Sequence, residues 1–183
     1  MKISIIVLAI IAGVVGILLL VIVTRPSDYR VERSATLAAS PAVLFEHANN
    51  HRKFNVWNPF LKLDPDVKNT YAGPESGVGA VCSWDGNKNV GAGSCTIIES
   101  VPNELVRSRM DWQRPMQGTG TVDFTFRPQG DKTVVTWAMY GKNNFMGKAV
   151  SLFIDCDKMC GPQFEKGLAD LGAVAIGTAT AAK

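Results

Sequence analysis

The chain contains no Gly-x-Ser-x-Gly elbow, and neither of its two histidines, His47 and His51, can be matched to a Ser or Asp partner. A serine-hydrolase triad has no basis here, because that chemistry needs a base beside the nucleophile and a third group to orient it. The two histidines are four apart, as in a helical zinc pair, but no Glu lies between them and Asn49-Asn50 favours a helix end. A zinc site would need further ligands at matching spacing. Gly141-Lys-Asn-Asn-Phe-Met-Gly-Lys148 looks superficially like a phosphate loop. It has one residue too many between the glycines and Ala149 where Ser or Thr would hold magnesium, so it reads as a strand-to-helix loop. No cofactor and no metal are expected. Basic runs are also scarce: outside the flanks of the N-terminal apolar stretch the longest is Arg52-Lys53, and the net charge of +3 is evenly spread. Phosphate-tracking surfaces need clustered cations, so nucleic acid is not an expected partner.

Cysteines are few, at 82, 95, 156 and 160. Cys82 and Cys95 flank the turn-rich Asp85-Gly-Asn-Lys-Asn-Val-Gly91, and a hairpin centred between Asn87 and Asn89 sets them nearly opposite each other. They form either a cross-strand disulfide in an oxidising compartment or two small half-buried strand residues. Cys156 and Cys160 stack on one face of a predicted helix, where a structural role is expected because no other residues complete a ligand set.

What the chain does have is a run without charge. Ile3 to Val23 carries no charged or strongly polar side chain, and as a helix it is roughly 31 Å long, the thickness of a bilayer core. The alternative is a cleavable signal peptide, with Met1 and Lys2 as its n-region. The run is longer than the usual h-region and ends in Val21-Ile-Val-Thr-Arg25-Pro26 rather than a small-x-small cleavage site. A single-pass anchor in the inner membrane is therefore expected over residues 1–24. Gly13 and Gly16 are three apart, which is not the spacing of a helix-dimer motif. Arg25, Arg30 and Arg33 after the helix argue for a cytoplasmic domain, whereas the short n-region resembles an export signal. Sidedness stays open, with the balance toward the periplasm.

Residues 25–29 read as a linker. Arg30–Leu37 reads as a first strand, and Ser40-Pro41 as a helix start with a capping hydroxyl and a proline in the first turn. Phe54, Trp57, Pro59, Phe60 and Leu61 suggest a second short helix. From Val67 the pattern changes to period two, predicting strands at Val67–Ala72, Gly79–Trp84, Ala92–Val101, Leu105–Trp112, Thr119–Arg127 and Thr133–Tyr140. A long helix is predicted from Met146 to Leu171, with a kink at Gly161-Pro162 and an apolar stripe from Met146 through Phe153 to Leu171. Residues 172–183, rich in small side chains, are expected to fray.

This order of elements predicts an α+β fold, a curved antiparallel sheet wrapped around one long C-terminal helix, with an apolar cavity between them. The order resembles that of the SRPBCC superfamily, a START-type helix-grip fold, and in particular its polyketide cyclase/dehydrase-like branch of bacterial proteins. The resemblance rests on Val31-Glu-Arg-Ser, Ser40-Pro-Ala-Val-Leu-Phe45, Trp57-Asn-Pro59, Gly73-Pro-Glu-Ser-Gly-Val-Gly79, Val90-Gly-Ala-Gly-Ser94 and Phe164-Glu-Lys-Gly-Leu168. It covers about residues 30–171, the expected domain, and carries no shared catalytic motif. It implies a pocket for a hydrophobic small molecule or lipid. The expected lining is Trp84, Met110, Trp112, Phe124, Trp137 and Met139 from the sheet, with Phe153, Cys156, Asp157 and Cys160 from the helix. Each aromatic among them could equally fill a core. Asp157 is either a cavity carboxyl with a raised pKa or a partner of Lys158 or Lys166. Three functions stay open: ligand binding near the membrane, a cyclase/dehydratase-type enzyme, and a protein-interaction module with a filled core.

Overall fold

The computed structural model describes residues 2–181. Helix α1 (Lys2–Thr24) precedes β1 (Asp28–Leu37), α2 (Pro41–Ala48), α3 (His51–Trp57) and a 3-10 turn at Leu61–Leu63. Strands β2 (Lys68–Ala72), β3 (Val81–Asp85), β4 (Ala92–Val101), β5 (Leu105–Arg114), β6 (Gly118–Gln129) and β7 (Lys132–Lys142) follow, then α4 (Phe145–Val150) and α5 (Cys156–Ala181). All seven strands form one antiparallel sheet in the order β1-β7-β6-β5-β4-β3-β2. The chain meanders from β2 to β7, and β1 adds to the last strand. This is the α+β helix-grip arrangement the element order predicts.

Alternation sets the faces. On β6, Gly120, Val122, Phe124 and Phe126 point inward while Thr121, Asp123 and Thr125 point outward. In the same register Phe124 pairs with Trp137, which pairs with Arg33, and Phe126 with Val135, which pairs with Ala35. The inner face is covered by α2, α3 and α5. Helix α5 contributes Cys160, Phe164, Leu168, Leu171 and Ala175, all buried at three- and four-residue spacing. The expected fraying after Leu171 is therefore corrected: Ala175 belongs to the core and the helix runs on.

The single predicted helix from Met146 is two helices. Asn144 caps α4 by accepting from the Gly147 amide at 2.8 Å. Asp155 caps α5 by accepting from the amides of Asp157 at 3.0 Å and Lys158 at 3.3 Å. Two side chains that satisfy orphan helix-start amides thus define two starts within one apolar period. Helix α5 continues through Pro162. At α2, Pro41 sits in the first turn as expected, but the Ser40 hydroxyl makes no capping bond. Asn50 caps α3, accepting from Arg52 N and Lys53 N.

Among the described residues one helix is long and apolar enough to cross a membrane, with a window at Ile6–Thr24 of mean hydropathy 3.4. Its end touches the domain: Ile22 is buried and α1 packs on α4.

Candidate functional site

The inner face of the sheet is closed at one end and half open at the other. At the closed end Trp57 is fully buried, and its ring meets Phe54, Phe124 and Trp137 edge-on at centroid distances of 4.7, 5.6 and 5.7 Å. Trp137 lies flat on Phe164 of α5, with centroids 4.2 Å apart and planes 4° from parallel. Rings at these separations leave no room between sheet and helix. Phe124 and Trp137, expected to line a cavity, are instead packed core. The Trp137 Nε1 is buried with no hydrogen-bond partner among the described residues.

At the other end, Trp84, Gly93, Trp112 and Gly118 form one cross-strand row over β3 to β6. Cys82, Cys95, Met110 and Gly120 form the next. Tyr29, on β1, pairs with Gly141. The glycines are what let the rings lie down. A Cβ on Gly93 would come within 2.7 Å of the Trp84 ring, and one on Gly120 would be 2.6 Å from the Tyr29 hydroxyl and 2.9 Å from Trp112. A Cβ on Gly141 would be 2.9 Å from the same hydroxyl. Three aromatic rings therefore rest on a glycine floor, and Trp84, Trp112, Tyr29, Met110 and Met139 remain only half-buried. Flat, partly exposed aromatic surface beside an apolar core is what an apolar ligand needs.

Burial raises the Tyr29 hydroxyl to about 12, with smaller contributions from Cys156 and Cys160 on the first turns of α5. Cys156 and Cys160 bring their sulfurs to 3.9 Å. The Cys160 contact holds the Cys156 thiol below its ordinary value, while Cys160 itself is pushed up by Cys156 and by burial. Burial pushes Cys95 up to about 12. Cys82 and Cys95 stand directly opposite each other, as the hairpin reading expects, with both thiols free.

Two expected lining residues lie elsewhere. Phe153 falls in the turn between α4 and α5 and is 86% exposed, because the cap at Asp155 starts α5 after it. Asp157 is exposed and bonded by Arg33 through both carboxylate oxygens at 2.8 Å, so its carboxyl is held below the ordinary range rather than raised. Its partner is neither Lys158 nor Lys166. Arg33, on the inner face of β1, also bonds Glu165 at 2.8 Å and lies across α5 at Gly161, where a Cβ would collide with the guanidinium. Sequence reading missed Arg33 and Tyr29, although Arg33 is on the inward alternation of the expected strand and Tyr29 follows from extending it to its start at Asp28.

Two open depressions lie at the β2–β3 side of the sheet. One, of about 300 Å³, lies between His51, Arg52, Tyr71, Pro74 and Glu75. The other, of about 520 Å³, lies mainly on the opposite face of the sheet, where Lys68, Thr70, Ser83, Asp85 and Arg114 line it.

A family model described as polyketide cyclase/dehydrase and lipid transport matches residues 28–175. No curated protein matches the chain. Among solved structures, truncated norcoclaurine synthase from Thalictrum flavum is 14% identical with a TM-score of 0.61, over 82% of this chain and 95% of its own. The Aha1 dimer of Colwellia psychrerythraea is 15% identical with a TM-score of 0.57, over 79% and 93%. The di-domain aromatase/cyclase StfQ of the steffimycin biosynthetic pathway is 9% identical with a TM-score of 0.59, over 84% of this chain and 52% of its own. At these identities the likeness is one of fold.

Proposed function

The chain belongs to the polyketide cyclase/dehydrase and lipid transport family, and on that premise we propose that it binds a hydrophobic small molecule or lipid at the ring-lined end of the sheet, held beside a membrane by α1. The observation that carries this reading is the glycine floor under Trp84, Trp112 and Tyr29. Those rings are large, apolar and incompletely covered, whereas their counterparts Trp57 and Trp137 are sealed. A sealed aromatic core serves stability; a half-open one offers area to a partner.

The closed end favours a shallow binding surface over an enclosed cavity, which is also what an interaction module with a filled core would present. The cyclase/dehydratase reading has one supporting group, the Tyr29 hydroxyl, which stays protonated at neutral pH and is suited to donating a hydrogen bond rather than removing a proton. The titratable groups that act on it are the thiols of Cys156 and Cys160, and no carboxylate or imidazole contributes to its shift. On this reading α1 holds the domain at the inner membrane, with the balance toward the periplasm; the one apolar helix at Ile6–Thr24 supports it. In an oxidising compartment the opposed Cys82 and Cys95 are positioned to cross-link.

Tryptophan emission reports binding directly. Brominated fatty acid added to the detergent-solubilised full chain is expected to quench saturably, and the Trp84→Phe/Trp112→Phe variant is expected to lose most of that saturable component. Linear quenching of equal size in both proteins would refute the assignment.

A further inference from the structure

Residues 145–159 place five large apolar side chains in water. Phe145, Met146, Phe153, Ile154 and Met159 are 48% to 86% exposed. Scattered single apolar residues are ordinary on a protein surface, but a concentration of this kind in one short segment marks a contact surface. Its position indicates the contact. Helix α4 packs on the C-terminal end of α1, and the Lys148 ammonium donates to the Val23 carbonyl at 3.3 Å. Only residues 25–27 separate α1 from β1, so Asp28 lies within roughly 14 Å of Thr24 even with the tether fully extended. If α1 spans the bilayer, this end of the sheet and the α4–α5 segment are held against the lipid surface.

We infer that α4, the 151–155 turn and the first turn of α5 form a foot that enters the lipid interface beside α1. This rests on α1 being a membrane anchor. Phe145, Met146, Phe153 and Ile154 supply the apolar contact, at the depth of about 5–10 Å typical of interfacial segments. Lys148 lies at the end of α1, where a lysine stem runs along apolar surface while its ammonium stays at headgroup level. The two carboxylates of the segment are already engaged: Asp155 caps α5 and Asp157 is bonded to Arg33. The foot fixes the domain's orientation. The ring-lined end, bounded by Tyr29 of β1 and Cys156 of α5, then opens toward the membrane rather than away from it. An apolar ligand would pass between bilayer and protein without crossing water.

The test uses the full chain in nanodiscs of phosphatidylethanolamine and phosphatidylglycerol whose acyl chains carry a diazirine, followed by peptide mapping of the carbene adducts. Adducts on both α1 and residues 145–159 are expected. In the Phe153→Glu/Ile154→Glu variant the second set is expected to fall to background while the first is unchanged. Both substituted positions are exposed, so an unaltered circular dichroism spectrum is expected to show an intact fold. Adducts on α1 alone in the unsubstituted chain would overturn the foot and leave the anchor standing. Adducts on neither would remove the anchor and the foot with it.

Discussion

Single residues divide the inner face into a part that holds the fold and a part that is left open. Trp137 is stacked on Phe164 and enclosed by Phe54, Phe60 and Phe124. Trp137→Ala is expected to cost about 3–5 kcal/mol, the usual range for emptying a packed aromatic site. Trp112→Ala, at the half-open end, is expected to cost less than half as much, with both values read from urea denaturation. Equal costs would mean that both ends are core. Arg33 and Gly161 form a second test. Glycine inside a helix costs about 1 kcal/mol relative to alanine, yet at position 161 a methyl group would strike the guanidinium that bonds Asp157 and Glu165. Gly161→Ala is expected to gain its full helix benefit only in an Arg33→Ala background, a coupling that a double-mutant cycle measures.

His51 provides the pH dependence. Its ring is buried, its Nε2 lies 3.2 Å from the Ala80 carbonyl, and burial holds its pKa below the ordinary 6.5. The unfolded chain therefore takes up a proton near pH 6.5 that the folded chain refuses, so the stability is complete above that value and declines as pH falls below it. His47 is shifted the same way, mainly by burial. The unfolding midpoint is expected to fall between about pH 7 and pH 5, and less steeply in His51→Gln. An unchanged slope in the variant would assign the effect elsewhere. The partners of these residues could not be read from sequence. The Arg33–Asp157 pair joins residues 124 apart, so neither alternative for Asp157, a cavity carboxyl or a partner of Lys158 or Lys166, named its actual partner.

At the scale of elements the sequence was far more informative. Strand β4 matches its predicted limits, Ala92–Val101, and the other six strands differ from theirs by a few residues at the ends. Alternation over ten residues is a strong pattern because one face is buried and the other wet. The opposition of Cys82 and Cys95 was legible for the same reason, since hairpin register follows from the turn. The α4–α5 break was not. Met146, Val150, Phe153 and Cys160 keep a helical period across it, and periodicity is blind to a capping carboxylate. Asp155→Ala is expected to destabilise the chain by about 0.5–2 kcal/mol, the usual value of a cap. Hydrogen exchange is expected to quicken in the first turn of α5 and stay unchanged in α4. Uniform exchange across both helices would contradict the separation.

For the molecule as a whole, the fold was legible from the order of elements, whereas the state of the interior was not. Sequence predicted one cavity lined by ten residues. The structure divides them: Phe124 and Trp137 seal the closed end, Phe153 and Asp157 lie on the surface, and Trp84, Met110, Trp112 and Met139 remain half-buried on the inner face of the sheet. Which inward ring is covered depends on where α2, α3 and α5 land, and on glycines that matter only as partners of rings on other strands. The open end is also where α1, α4 and the start of α5 lie, and on the proposed reading the anchor, the foot and the ring-lined surface form one functional unit. Native mass spectrometry of the full chain, released from detergent in the gas phase after purification from its producing cells, tests that reading most directly. One apolar molecule per chain, lost in Trp112→Ala, is the expected result. A bare chain that stays bare after incubation with fatty acids and polycyclic dyes would contradict it.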